Sequence, residues 1–184
     1  APISREGSLI LNNLLLTTAC ATVLIGTLYP LFLESATGMK ISVGPPYFNA
    51  TFVPLMVPLL IAVPLGPALA WKRGDLAAAL QRLWFAALLT LLVVVAVFAY
   101  AYRGPWLAPL AICLGVWVMA AALQDLFLRA KFGYVPFATA LARLTGLPRT
   151  PSGTPVAHIG HGVMLVWIAA TTPYRTEKHT SQHQ

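Results

Sequence analysis

Charged side chains are scarce in this chain. They make up 9% of its 184 residues, and only five of them are acidic, whereas soluble domains contain roughly 25% charged residues. Hydrophobic residues reach 58%, so too little polar side-chain surface is available to cover a water-soluble fold. We therefore expect an integral membrane protein with no room for a separate soluble domain.

Cysteine motifs are missing as well. Cys20 and Cys113 lie in different apolar runs and belong to no CxxC or CxxCH pattern, which argues against disulfide chemistry and covalent cofactor attachment. No carboxylate lies inside the apolar runs, which counts against a proton relay across the membrane. The net charge of +7 needs no nucleic acid to explain it, because charge bias in a membrane protein first reports its orientation.

Five apolar runs have the length of a membrane-spanning helix. A bilayer core about 30 Å thick requires about 20 apolar residues per helix, and in lipid only helices or closed barrels satisfy their backbone groups. We predict an all-α, polytopic transmembrane bundle that forms one membrane module over residues 1–184. Its predicted spans are residues 9–33, 51–71, 83–102, 106–123 and 155–172.

The basic residues divide unequally between the two sides of such a bundle. Eight fall on the side of the N-terminus and four on the opposite side, which places the N-terminus in the cytoplasm and the tail of residues 173–184 outside. The larger group is Arg5, Lys72, Arg73, Arg82, Arg129, Lys131, Arg143 and Arg149, and the smaller is Lys40, Arg103, Arg175 and Lys178.

Three polar or irregular regions are candidates for binding. Residues 124–153 mix basic and aromatic side chains at loosely helical spacing, which favours a segment lying on an anionic leaflet over a docking site for a protein. The loop of residues 34–50 contains Gly44–Asn49 and suits either a docking surface or an interfacial turn. Four prolines predict a kinked or partly unwound second span, namely Pro54, Pro58, Pro64 and Pro67.

Two histidines near the start of the fifth span form the most suggestive pattern. His158 and His161 are about 60° apart around a helix, and Gly162 lies one turn beyond His158 on the same face. A glycine there would let a flat ring lie against the helix backbone, and imidazole is a common ligand of heme iron. Helix–helix hydrogen bonding, heme or metal ligation, and proton movement all stay open. His179 and His183, in the tail, are expected to be solvated.

Several segments, which follow one another in the same order along the chain, resemble CcmF, the heme lyase subunit of bacterial cytochrome c maturation. The resemblance extends from about Ser4 to Lys178. It is carried by residues 4–7, 11–16, 24–30, 41–49, 55–58 and 157–160, which read SREG, LNNLLL, LIGTLYP, ISVGPPYFN, LMVP and AHIG.

The resemblance implies an inner-membrane protein that works with CcmH-like and CcmE-like proteins to attach heme to apocytochrome c. It also implies that His158 is one axial ligand of a transmembrane heme b, which keeps the incoming heme iron reduced, with Gly162 beside the macrocycle. His161 falls on no histidine of the family. The family's tryptophan-rich heme platform, its two periplasmic histidines, the other transmembrane heme ligand and the following soluble domain have no counterpart in residues 1–184.

We therefore interpret the chain as the C-terminal membrane part of a CcmF-like protein, either a fragment or one half of a split form. Heme lyase activity, the formation of thioether bonds, would require the rest of that protein. In this interpretation Asn12 and Asn13 brace the bundle, and Gly44–Asn49 belongs to a periplasmic assembly surface. The alternatives are a transporter-like module that uses the proline-rich second span, and a non-catalytic membrane scaffold.

Overall fold

A computed structural model describes residues 4–69, 75–101, 106–146 and 149–181, with side chains at residues 4–69, 75–100, 106–146 and 152–171. All eight elements in these ranges are helices, which confirms the predicted all-α class. Four of the helices are long and apolar enough to cross a membrane, or five if one bent pair counts as a single span. The predicted span ends at residues 71 and 102, and the basic residues Lys72, Arg73 and Arg103, lie outside the described ranges.

The structure has two compact units, residues 1–79 and 80–184. The helices are α1 (Arg5–Thr37), α2 (Pro45–Ala62), α3 (Leu65–Ala68), α4 (Leu76–Arg82), α5 (Trp84–Ala101), α6 (Leu107–Ala130), α7 (Phe137–Thr145) and α8 (Arg149–Ser181). Neither the organisation as one membrane module nor the cytoplasmic position of the N-terminus is tested by these elements, and both stay predictions.

In the first unit, α1 packs against α2 and α3. The Ser4 hydroxyl accepts a hydrogen bond from the Gly7 N–H at 3.0 Å and so caps the start of α1. Gly38 ends the helix at φ 71°, a left-handed conformation in which its N–H donates to Glu34 O. At 33 residues, α1 is about 50 Å long, so it can cross a bilayer core and extend beyond it.

The second span starts earlier than the sequence predicts. Pro45 occupies the beginning of α2, where a proline loses no intrahelical hydrogen bond and its fixed φ favours the helix. We expected Gly44–Asn49 to be a loop because its glycine and prolines break helices, whereas only Gly44 lies outside α2. The predicted irregularity of this span falls at Val63 and Pro64, between α2 and α3.

In the second unit, α6 is the central helix, because α5, α7 and α8 all pack against it. It extends to Ala130 rather than ending at residue 123, so the first part of the predicted interfacial segment belongs to a span helix. Asp125 and Arg129 carry opposite charges one turn apart, and their 2.7 Å ion pair adds modest support to the helix at its polar end. Lys131 then ends α6 at φ 56°.

Candidate functional site

Helix α8 holds the two span histidines on neighbouring faces. His158 and His161 are both half-buried, and Gly162 is fully buried. Because residues four apart lie on one face of a helix, His158 lies one turn from Gly162, toward the start of α8. The candidate site is therefore the part of the α6–α8 interface that adjoins His158.

Two glycines lie where the backbones of α6 and α8 come close together. A Cβ atom placed on Gly162 would lie 2.6 Å from the carbonyl oxygen of Gly115, and one placed on Gly115 would lie 2.9 Å from the carbonyl oxygen of Gly162. Real side chains do not tolerate such distances, so both positions require a residue without a Cβ. Small residues that let two backbones meet are typical of helix packing in membranes.

The same contact bears on the predicted role of Gly162. The space beside this glycine is filled by the Met119 side chain and by the backbone of Gly115. Packing against α6 therefore accounts for the glycine without a cofactor, and a porphyrin cannot occupy that space while the two helices meet in this way. The assignment of Gly162 to a cofactor is not tested directly and stays a prediction.

The surroundings of His158 are electrostatically mixed. The negative charge of Asp125 and the imidazole of His161 both act on the His158 ring, while Asp125 is itself paired with Arg129. Within the described ranges no hydrogen bond of the His158 ring occurs, so the alternative in which it bonds a neighbouring helix finds no support there. Those ranges contain no group of three or more His, Cys, Asp or Glu residues that could hold a metal ion.

Gln124 is a buried polar residue that the sequence analysis did not single out. It lies on α6, where its side-chain oxygen accepts a hydrogen bond from the Ala86 N–H at 3.0 Å and its amide nitrogen donates to the carbonyl oxygen of Arg82. The available signal was an uncharged amide at the polar end of an apolar run. We instead took it as the first residue of an interfacial segment.

The predicted assembly surface Gly44–Asn49 is partly engaged within the chain. The Tyr47 hydroxyl donates a hydrogen bond to Thr22 O at 3.1 Å, and a Cβ placed on Gly26 would lie 2.6 Å from the Tyr47 ring and 3.1 Å from that of Phe48. The two aromatic rings thus fill the notch that Gly26 leaves in α1. Assembly with a partner through this segment is not tested and stays a prediction.

The remaining predicted residues are distributed along the chain. Asn12 donates a hydrogen bond to its neighbour Asn13 at 3.3 Å instead of bridging to another helix, so the interhelical bracing expected of this pair is not seen in the described residues. Helix α8 continues to Ser181, beyond the predicted span. The side chain of His179 and the whole of His183 lie outside the described parts of the chain.

The chain is similar to several bacterial proteins that are named cytochrome c-type biogenesis proteins. The chain is 56% identical over 177 residues to the cytochrome c-type biogenesis protein CycK of Rhizobium meliloti, a match that covers 96% of this chain and 26% of that protein. It is 55% identical over 177 residues to CycK of Bradyrhizobium diazoefficiens, a match that covers 96% of this chain and 27% of that protein. It is 37% identical over 181 residues to CcmF of Pseudomonas aeruginosa, a match that covers 95% of this chain and 26% of that protein.

These matches cover nearly all of this chain but only part of each relative. The chain spans about a quarter of the length of these curated relatives. No protein-family model matches the chain, and no solved structure matches it. The resemblance detected in the sequence is nevertheless confirmed by identity that extends over nearly all of this chain. Over nearly all of its length, the chain is therefore similar to a stretch of the CycK and CcmF cytochrome c-type biogenesis proteins.

Proposed function

We propose that this chain is part of a heme lyase system for cytochrome c maturation, in which His158 supplies one axial ligand to a transmembrane heme b. The second ligand would come from outside this chain. The partners would be the rest of a CcmF-like protein, CcmH-like and CcmE-like proteins and apocytochrome c. The location would be the bacterial inner membrane, with the tail of residues 173–184 on the periplasmic side.

The observation that carries this proposal is the extent of the similarity. Identity of 56% over 96% of the chain to a protein named for cytochrome c-type biogenesis supports a role in the same process. Because only 26% of that protein is covered, formation of the thioether bonds is assigned to the larger assembly. This chain would contribute to the heme site and to the assembly surface on which heme passes from a carrier to apocytochrome c.

The position of His158 supports its assignment as a ligand. The ring is half-buried in a candidate membrane span, and no hydrogen bond within the described part of the chain occupies either ring nitrogen. An ionisable side chain in such a position is costly unless it has a function or a partner. A neutral imidazole nitrogen that is not already bonded is suited to heme iron.

Gly162 acts indirectly in this proposal. Because Met119 and the Gly115 backbone fill the space beside it, it would set the separation of α6 and α8 and thereby hold His158 in place. The heme, when bound, supplies an iron centre that can change its redox state. His158 would hold that iron through one ring nitrogen and fix its depth near one end of α8.

The ligand assignment is tested by replacing each histidine in turn. His158→Ala, co-expressed with the remaining part of the CcmF-like protein, should purify without the b-type Soret band, whereas His161→Ala should retain it. Recovery of the assembled complex, measured by affinity purification, checks that each variant is folded. A normal Soret band in His158→Ala would remove this residue from the heme site.

A transporter-like module is the alternative that one structural observation favours. The second span is broken at Val63 and Pro64, and broken helices can expose backbone carbonyls to a transported solute. This alternative predicts solute flux in liposomes that contain the chain alone and no dependence on heme. A non-catalytic scaffold predicts that changes in Gly44–Asn49 abolish complex formation while heme binding is unaffected.

A further inference from the structure

The break between α4 and α5 has no cause in its own sequence. The two helices meet at Leu83 with a bend of 66°, yet residues 76–101 contain neither proline nor glycine. Sharp kinks in helices arise at such residues, at π-bulges, or where a side chain or a water inserts into the backbone hydrogen-bond ladder. The cause must therefore be sought in another element.

The Gln124 side chain occupies the gap in that ladder. In a continuous helix, the Ala86 N–H would donate to the carbonyl oxygen of Arg82, four residues earlier. Here the Ala86 N–H donates to the Gln124 side-chain oxygen at 3.0 Å, and the Gln124 amide nitrogen donates to Arg82 O. The Gln124 carboxamide thus forms hydrogen bonds with Ala86 N–H and Arg82 O, the two backbone groups that would bond to each other in a continuous helix. The next bond, from Ala87 N–H to Leu83 O at 2.9 Å, is intact.

The arrangement couples the bend to this one side chain. Gln124 and Ala86 are both buried, so polar groups left without partners there would be costly. With the amide present, the bent form satisfies both Arg82 O and Ala86 N–H. With an apolar side chain at residue 124, only a straight helix satisfies Arg82 O and Ala86 N–H, because the two can then bond to each other.

The bend also fits the length of the span. Helix α5 alone has 18 residues and is about 27 Å long, whereas a straight helix from residue 76 to residue 101 would reach about 39 Å. A bilayer core is about 30 Å thick. Turning α4 away from the axis of α5 therefore leaves α5 matched to the core.

We propose that Gln124 is a conformational latch, which holds the α4–α5 break by taking the place of one backbone hydrogen bond. Loss of its amide lets α4 and α5 join into one straight helix. The inference depends only on the contacts of Gln124 with Arg82 and Ala86, and it is independent of any heme.

The test is a distance between spin labels at Leu76 and Tyr100, in the full chain with Cys20 and Cys113 replaced by serine and reconstituted in nanodiscs. Both label sites are exposed. Straightening a bend of 66° over these 24 residue steps should lengthen the separation by about 5 Å. We expect this shift in Gln124→Met, which preserves the length of the side chain but forms no comparable hydrogen bonds.

Gln81→Met is the matched control, because Gln81 is exposed on α4 and the same chemical change there should leave the distance unaltered. A second label pair, at Leu123 and Val163, reports whether α6 and α8 still pack together. If Gln124→Met preserves the α6–α8 distance and also the wild-type separation of Leu76 and Tyr100, the latch is refuted.

A measurement on the unaltered protein makes the inference independent of variant folding. Hydrogen exchange of the Gln124 side-chain amide, followed by NMR, should be slow relative to that of the exposed Gln81 amide, because the Gln124 amide is buried and bonded. Exchange of Gln124 as fast as that of Gln81 would overturn the proposal.

Discussion

Gly115 and Gly162 meet backbone to backbone, each placed so that a Cβ on one would lie within 3 Å of the carbonyl oxygen of the other. This reciprocal contact joins the longest helix of the described second unit, α8, to its central helix, α6. It also fixes the surroundings of His158, which lies one turn away on α8. The packing of two glycines is thus the structural basis of the candidate site.

The α6–α8 crossing should be sensitive to one added methyl group. Gly162→Ala places a Cβ 2.6 Å from Gly115 O, and because a backbone atom cannot move aside the helices must separate. Overpacking of this kind costs about 1–3 kcal/mol. Thermal unfolding in detergent, followed by tryptophan fluorescence, should show a lower midpoint for the variant.

Gly160→Ala is the control for that experiment. No atom lies within 4 Å of a Cβ placed on Gly160, so the methyl group enters open space while the helix gains up to about 1 kcal/mol from alanine's higher propensity. Its midpoint should be equal to or above that of the unaltered chain. Equal destabilisation by both substitutions would show that helix packing is not the cause.

The contact of Tyr47 with α1 should also contribute to stability. Tyr47→Phe removes the hydroxyl that donates to Thr22 O at 3.1 Å and should lower the free energy of unfolding by about 0.5–1.5 kcal/mol. Tyr29→Phe serves as the control because Tyr29 is an exposed residue of the same unit. Denaturant titration of both variants measures the difference, and the prediction fails if the two variants lose equal stability.

The basic residues around α7 should recruit anionic lipid, as the sequence predicts for this segment. Lys131 and Arg143 are exposed, and exposed aromatic residues lie nearby, among them Tyr134 and Phe137. Each neutralised charge should weaken the attraction by about 1 kcal/mol. Native mass spectrometry should therefore show less phosphatidylglycerol retained by Lys131→Gln and Arg143→Gln, with phosphatidylcholine retention unaltered.

The lysine Lys40 provides a comparison for the lipid experiment. It is exposed, like the other two cations, but it pairs with Glu34 at 3.7 Å and lies outside the predicted interfacial segment. Lys40→Gln should leave phosphatidylglycerol retention close to that of the unaltered chain. An equal loss from all three substitutions would indicate a general charge effect and not a lipid-binding segment.

The start of α1 offers a fourth test. Ser4→Ala removes the oxygen that accepts from the Gly7 N–H, and loss of an N-cap typically costs about 1 kcal/mol. Ser35→Ala removes an exposed hydroxyl that bonds within the same helix, to Phe32 O, and should cost less. Thermal unfolding should therefore show a lower midpoint for Ser4→Ala than for Ser35→Ala. A larger decrease in the midpoint of Ser35→Ala would contradict the assignment of Ser4 as the cap.

Helix class and the approximate position of each span were predictable because they depend on the lengths of apolar runs. The ends were less predictable, and for identifiable reasons. Pro45 was taken as a helix breaker although a proline at the first position favours the helix. The part of α6 that extends to Ala130 contains the Asp125–Arg129 pair and the buried Gln124, neither of which an apolar-run criterion detects.

Part of the candidate site was predictable in the same way. His158 was selected because an imidazole within a span is costly without a purpose, and its place on a half-buried face of α8 follows from the helix. The neighbour of Gly162 was not predictable, since a one-dimensional pattern does not say which helix meets a glycine. A flat ligand and an α6 backbone would leave the same signature in the sequence.

The sequence by itself determined that the chain is helical, that about five of its apolar runs are long enough to cross a membrane, and which proteins it resembles. These properties follow from hydrophobic length and from residue identity, which are both local. Only the tertiary structure decided that Gly162 meets Gly115, that Tyr47 fills the notch at Gly26, and that Gln124 completes a broken helix. Each of these contacts joins residues far apart in the chain, and close packing selects the partner.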